Sequence, residues 1–198
     1  MSNYITSNFS NLIFSCSVPS QWHMEHRVTD HCVVFVRQGK LLISDKGRTE
    51  EIPAGSCVFL KKDCSVRLVK ASFAGKNYEG LNIRLPQNIL EDYFQRHLKN
   101  NEFSQDFTGL SNCFMRLNRT LCLQGLLSSI ILFVEEGQDP GQKMTELKVE
   151  ELILDLLQTN IRFFPTLFDF YRDWNVDLKE FMEDHFCLLY TSPSPRDS

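Results

Sequence analysis

At 198 residues, with 42% hydrophobic and 23% charged residues, the chain can bury one substantial core, or one domain with an appendage. Its formal net charge of -4 argues against a broad phosphate-binding surface, because non-specific nucleic-acid affinity needs clustered Lys and Arg. No apolar run approaches the roughly 18 residues of a membrane span, and no basic flank followed by an apolar block opens the chain. A cytoplasmic protein without a membrane partner is expected. Seven cysteines (Cys16, Cys32, Cys57, Cys64, Cys113, Cys122 and Cys187) are scattered and never spaced C-x-x-C, which predicts reduced, mostly buried thiols in preference to a disulfide frame or zinc site.

From Asn11 to Leu85 the chain breaks into short β-prone runs at 12–18, 32–36, 40–44, 57–60, 65–73 and 80–85. Turn chemistry separates them at Gln38-Gly39, Asp45-Lys46-Gly47, Pro53-Ala54-Gly55 and Ala74-Gly75-Lys76. Runs this short and this regularly punctuated predict an antiparallel sandwich or barrel. At Pro86 the period becomes helical, with Ile89, Leu90, Tyr93, Phe94, His97 and Leu98 on one face. After a polar stretch over 99–112, residues 121–136 and 144–161 read as two helices separated by the breaker Gly137 to Gly141. They predict a helical hairpin. Asp177-x-x-Glu180 has the form of a capping box, continued by Leu178, Phe181, Met182 and Phe186. The last eight residues, Thr191 to Ser198, hold two prolines and no hydrophobic period.

Gly47, five residues, then Pro53-Ala54-Gly55 is similar in spacing to the second sequence block of cupins, and Gly39 takes the place of the glycine that closes the first. Gly39, Gly47, Pro53 and Gly55 thus form a turn skeleton. Val58 stands where the second block carries a His and Cys32 where the first carries a Glu, while His26 alone among nearby histidines falls in the paired-His segment. A cupin metal site needs those ligands. The remaining cluster is His23, His26 and His31 with Glu25 and Asp30, and on one strand His23 and His31 would share a face with His26 opposite. It reads as a surface strand, so no metal, cofactor or catalytic residue is expected. No phosphate loop, Gly-x-Ser-x-Gly elbow or His-Glu-x-x-His helix is present. Lys61-Lys62, with Arg67, Lys70 and Lys76, reads as a solvated strand edge in preference to an anion site.

A cupin-like barrel, a helical hairpin, and then the segment Asp173 to Phe186 together resemble the AraC family of transcription activators over residues 10–186. The barrel is most similar to the subgroup that includes activators of type III secretion genes. The resemblance implies an α+β chain, a cupin-like antiparallel β-barrel or sandwich followed by a helical hairpin. Residues 1–85 would be the barrel, 86–172 the helical dimerisation region and 173–186 the entry to a helix-turn-helix DNA-binding domain. Residues 187–198 match nothing in that region and are expected to be a non-native or disordered tail of a truncated chain. The implied function is signal reception and dimerisation, with DNA contacted only through the missing domain. A regulatory protein, favoured by the subgroup, or a small-molecule effector would be the signal. A stand-alone cupin enzyme and a protein-interaction module are the alternatives. The first would need the lost ligands, and the entry segment argues against the second.

The hairpin helices predict where two chains meet. Leu123, Leu126, Leu127, Ile130, Phe133 and Val134 form the core stripe of the first helix. Opposite them Leu121, Gly125, Ser128, Ser129 and Leu132 set small residues beside leucines, which lets another helix approach closely. Leu147, Val149, Leu152, Ile153, Leu154, Leu156, Leu157 and Ile161 spread over more than half the circumference of the second helix. A homodimer is expected, with Leu121, Gly125, Ser128, Leu132, Leu152 and Leu156 at its interface.

Overall fold

The computed structural model describes residues 5–19, 21–98 and 108–170. The expected entry segment, Asp173 to Phe186, and the tail 187–198 lie outside the described residues, as does Cys187. In chain order the elements are β1 (Ile5–Phe9), β2 (Ile13–Val18), β3 (Trp22–Arg27), β4 (His31–Gln38), β5 (Lys40–Asp45), β6 (Arg48–Pro53), β7 (Ser56–Leu60), β8 (Ser65–Ala71), β9 (Tyr78–Leu85), α1 (Gln87–His97), β10 (Phe114–Arg116), α2 (Leu121–Glu136), α3 (Gln142–Thr159) and α4 (Phe163–Leu167).

The strands form two antiparallel sheets, one ordered β1-β2-β9-β4-β7-β10 and the other β3-β8-β5-β6. Neither closes on itself or on the other, so the architecture is an open α+β sandwich and not a barrel. The larger sheet is buried on both faces. Val34, Val36, Val58 and Leu60 point toward the smaller sheet, where they meet Leu41, Ile43, Ile52 and Leu68. Val33, Phe59, Leu81 and Ile83 point the other way and pack on Leu126, Ile130, Leu152 and Ile153 of the helices. This is why β4 carries the near-continuous apolar run Cys32 to Val36: side chains alternate between two cores. β10 returns to pair with β7, Phe114 opposite Leu60. The boundary at residues 85 and 86 therefore marks a change of secondary structure, while the core continues across it.

Gly39 is the single residue between β4 and β5, where the chain passes from one sheet to the other. Its φ is +72°, and a Cβ there would stand 2.6 Å from the Ala71 carbonyl oxygen and 2.8 Å from the Tyr78 Cα. Only glycine fits that approach.

The helices are tied down by polar contacts at their ends. Thr120 caps α2, its Oγ1 accepting from the Leu123 N–H at 2.9 Å, and Gly137 closes the helix in the left-handed region at φ +61°. The same Thr120 hydroxyl donates to Asp155 Oδ1 of α3 at 2.8 Å. Arg37 on β4 pairs with Glu135 near the end of α2, and Arg96 of α1 pairs with Glu150 of α3 at 2.6 Å.

Candidate dimer face and effector cleft

The outer surface of the hairpin carries exposed leucines among polar residues. On α2 Leu121 is 86% and Leu132 60% exposed, and Gly125 and Ser128 lie between them, also exposed. These four fall at i, i+4, i+7 and i+11, on the side opposite the buried Leu123, Leu126, Leu127 and Ile130. A Cβ added at Gly125 would meet nothing within 4 Å.

On α3 the expectation needs correction. Leu152 and Leu156 are 0% and 1% exposed and belong to the core between the hairpin and the larger sheet, so no second chain can reach them. With Val149 and Ile153 they form the buried side of α3, in the core that this helix shares with the larger sheet. The exposed apolar residues of this helix are Met144, Leu147 and Leu154, with Ile161 just beyond its end. Leu147, Leu154 and Ile161 recur every seven residues. The sequence signalled this only as an over-wide apolar arc, and nothing in the arc alone says which side meets the sheet.

The histidines are not one strand face. His23 and His26 lie on β3 of the smaller sheet, whereas His31 opens β4 of the larger one. The surface-strand reading fails for His31, which is wholly buried. Its Nδ1 accepts from the Lys62 backbone N–H at 3.1 Å. Burial holds its pKa down to about 4, with Lys62 and Lys61 adding to the shift and Asp169 and the Thr166 backbone opposing it. Where cupins keep ligands, Val58 is fully buried and the buried Cys32 thiol is pushed up to about 12 by desolvation. Among the described residues no three His, Cys, Asp or Glu side chains stand close enough to share a metal. Cys57 and Cys113 are also buried, Cys16 and Cys64 partly so, and Cys122 is exposed.

Of the basic residues, Arg67 and Lys70 do not lie on a sheet edge, because they belong to β8, which lies between β3 and β5. Lys61 Nζ donates to the Leu110 carbonyl at 2.9 Å, Lys62 pairs with Asp169 at 2.8 Å, and Arg67 pairs with Glu25 at 3.0 Å. Lys70 lies over the rings of Trp22 and Tyr78, at 5.0 and 5.4 Å from their centroids, and donates to Cys16 Sγ at 3.3 Å. It borders a small cavity of about 80 Å³ between the sheets. Burial, and then Lys70, lowers the pKa of the neighbouring His26.

A larger cleft of about 680 Å³ runs between α2 and the turn that joins β6 to β7. Pro53 and Gly55 of the turn skeleton form one lip. Gly55, at φ +81°, donates its N–H to the Val36 carbonyl at 2.7 Å and leaves the space above it to the Arg119 side chain. Arg116, Asn118, Arg119, Gln124 and Ser128 supply polar lining, and Phe35, Leu123, Leu127 and Ile131 supply apolar lining. Gly39 and Gly47 serve turns elsewhere and do not reach this cleft.

An open double sheet with a helical hairpin packed on its larger sheet is the architecture of AraC-type regulatory domains. The chain belongs to the ExsA N-terminal regulatory domain family, whose model matches residues 31–163. Members are regulatory domains of transcription activators and not enzymes. No curated protein sequence gives a significant match. Among solved structures, apo ToxT K231A from Vibrio cholerae strain SCE256 aligns with a TM-score of 0.56 at 12% identity, over 77% of this chain and 58% of that one. Wild-type ToxT of the same strain with unsaturated fatty acid bound aligns with a TM-score of 0.52 at 13% identity, over 74% and 53%. ToxT from V. cholerae O395 bound to (E)-4-(8-methylnaphthalen-1-yl)but-3-enoic acid gives 0.51 at 13%, over 74% and 55%. At such identity the likeness is one of fold. The chain spans little more than half the length of these structures.

Proposed function

We propose that the chain is the signal-receiving and dimerising half of an AraC-type transcription activator working in the cytoplasm. The observation that carries the pairing is the outer face of the hairpin, where Leu121 and Leu132 of α2 and Leu147 and Leu154 of α3 are exposed at helical spacing opposite the core. An isologous contact would bury each stripe twice. Gly125 and Ser128, between the α2 leucines, allow close backbone approach. DNA would be read by helix-turn-helix units outside the described residues, at half-sites whose spacing the pairing sets. The effector is a regulatory protein or a small molecule. The two ToxT ligands named above are carboxylic acids with large apolar bodies, which supports the small molecule.

Light scattering at tens of micromolar tests the pairing. The chain should run as a dimer, and Leu132→Glu should halve the mass while circular dichroism is unchanged, because the new charge stays in water once the chains part. A wild-type monomer, or a Leu132→Glu dimer, would refute the assignment of this face.

A further inference from the structure

We infer that the cleft between α2 and the β6–β7 turn binds a small amphipathic anion, an oxyanion head on an apolar tail, and that its occupancy is linked to dimerisation; this rests on the reading of the chain as a signal-receiving domain.

The head group is argued from two arginines. Arg37, Arg48, Arg67, Arg84 and Arg96 each have a carboxylate within ion-pair distance. Among the described residues Arg27, Arg116, Arg119 and Arg162 have none, and of these Arg116 and Arg119 stand together at the cleft. Each is nevertheless positioned on the same turn. Arg116 donates to Ser56 Oγ at 3.0 Å, and Arg119 Nη1 lies 3.9 Å from where a Gly55 Cβ would be. Two guanidinium groups held over adjacent residues, with no described carboxylate within ion-pair distance of either, favour a ligand oxyanion, which they can engage by paired charge-assisted bonds. The nearby N-terminal turn of α2 adds its partial positive charge.

The tail is argued from the flank of α2 that runs along the cleft. Leu123, Leu127 and Ile131 follow one another at i, i+4 and i+8 along one flank of α2, with Phe35 facing them from β4. Phe35 and Ile131 are only partly buried, so their apolar surface is left in water. From Leu123 to Ile131 the helix rises about 12 Å, the reach of a medium-length acyl chain. The volume of about 680 Å³ lies within the range of small-molecule sites.

Linkage to the dimer follows from Ser128, which lines the cleft and also stands in the exposed stripe between Leu121 and Leu132. A ligand lying along α2 bears on the helix that would carry the contact. Whichever way occupancy shifts the dimer constant, dimerisation shifts ligand affinity by the same factor.

The test uses the intact chain, with decanoate below its micelle concentration, decyl phosphate and decanol as probes, in titration calorimetry. Decanoate or decyl phosphate should bind one per chain, the tighter of the two identifying the head group, and decanol should bind at least about tenfold more weakly. Arg116→Gln and Arg119→Gln should each weaken the anion by about tenfold, with Arg119→Lys partly restored and circular dichroism unchanged. The dimer constant should move with decanoate in the wild-type chain and stay fixed in the doubly substituted Arg116→Gln, Arg119→Gln chain. Unchanged affinity in both arginine variants would overturn the inference. So would loss of binding on Lys70→Gln, at the cavity between the sheets, or absence of binding by any probe at millimolar concentration. Binding that leaves the dimer constant unmoved would overturn the linkage. Light scattering of the ligand-free chain reads the proposed dimer separately, so a dimer that ignores all three probes defeats the cleft and leaves the regulatory reading standing.

Discussion

His31 stacks on Phe59 with ring centroids 5.5 Å apart and planes 22° from parallel, both side chains wholly buried in the face of the larger sheet that meets the helices. Phe59 in turn meets Phe163 of α4 edge to face at 5.0 Å. Neutral imidazole suits this place, and imidazolium does not.

Stability should therefore fall on acidification. The folded pKa of His31 is lowered to about 4 from 6.5, first by burial, with Lys62 and Lys61 adding and Asp169 opposing. A histidine with a depressed folded pKa contributes no penalty above its unfolded value, and loses stability as pH drops from 6.5 toward 4, because the unfolded chain takes the proton first. Between about pH 7.5 and about pH 5 the loss from this group is on the order of 2 kcal/mol. Urea denaturation at the two pH values should show it, and His31→Phe should flatten the slope by that amount. An equal slope in the variant would mean that other groups carry the dependence.

Leu152 and Leu132 should behave oppositely, although both are leucines of the hairpin. Leu152 is fully buried, so Leu152→Ala should cost about 2–5 kcal/mol through lost burial and the cavity left behind. Leu132→Ala should change the stability of the isolated chain by less than about 0.5 kcal/mol. Denaturation at a concentration low enough to hold the chains apart measures both. Comparable costs would move Leu132 into the core.

Gly39→Ala should be far more damaging than Gly47→Ala. Both residues have positive φ, +72° and +86°, so each pays the left-handed penalty of about 1–2 kcal/mol. Nothing lies within 4 Å of a Cβ at Gly47, whereas at Gly39 the Ala71 carbonyl and Tyr78 Cα are backbone atoms that cannot swing aside. Overpacking adds about 1–3 kcal/mol there. Thermal unfolding of the two variants should separate clearly, and coincident midpoints would show that the crossover between the sheets is looser than drawn.

The strands that the sequence left unmarked share one property. β1, β3, β6 and β10 fall outside the β-prone runs, and they are the four edge strands of the two sheets. An edge strand buries less, so its pattern can be as polar as Arg48 to Pro53 without costing the core. Central strands, which must fill two cores or one, announce themselves by apolar runs such as Cys32 to Val36. Likewise the C-terminal end of Leu121–Glu136 was legible, because the breaker that opens at Gly137 stops it. The cleft was not legible at all. Arg116 and Arg119 become neighbours of Gly55 only through the pairing of β10 with β7, which no local pattern encodes.

Thr120 should prove to be the residue that registers α2 against α3. One hydroxyl makes two bonds there, accepting from the Leu123 N–H at 2.9 Å and donating to Asp155 Oδ1 at 2.8 Å. Asp155 is only 7% exposed, so loss of that donor leaves a nearly buried carboxylate short of a partner. Thr120→Val keeps the shape and removes both bonds, and should cost about 2–4 kcal/mol. Thr120→Ser keeps both and should cost less than about 0.5 kcal/mol. A cap alone would give a cost independent of Asp155. The shared hydroxyl instead predicts coupling: once Asp155 is replaced by Ala, the further change Thr120→Val should cost about 1–2 kcal/mol less than it does in the wild-type chain. Strict additivity in that double-mutant cycle, read by urea denaturation near neutral pH, would reduce Thr120 to an ordinary helix cap.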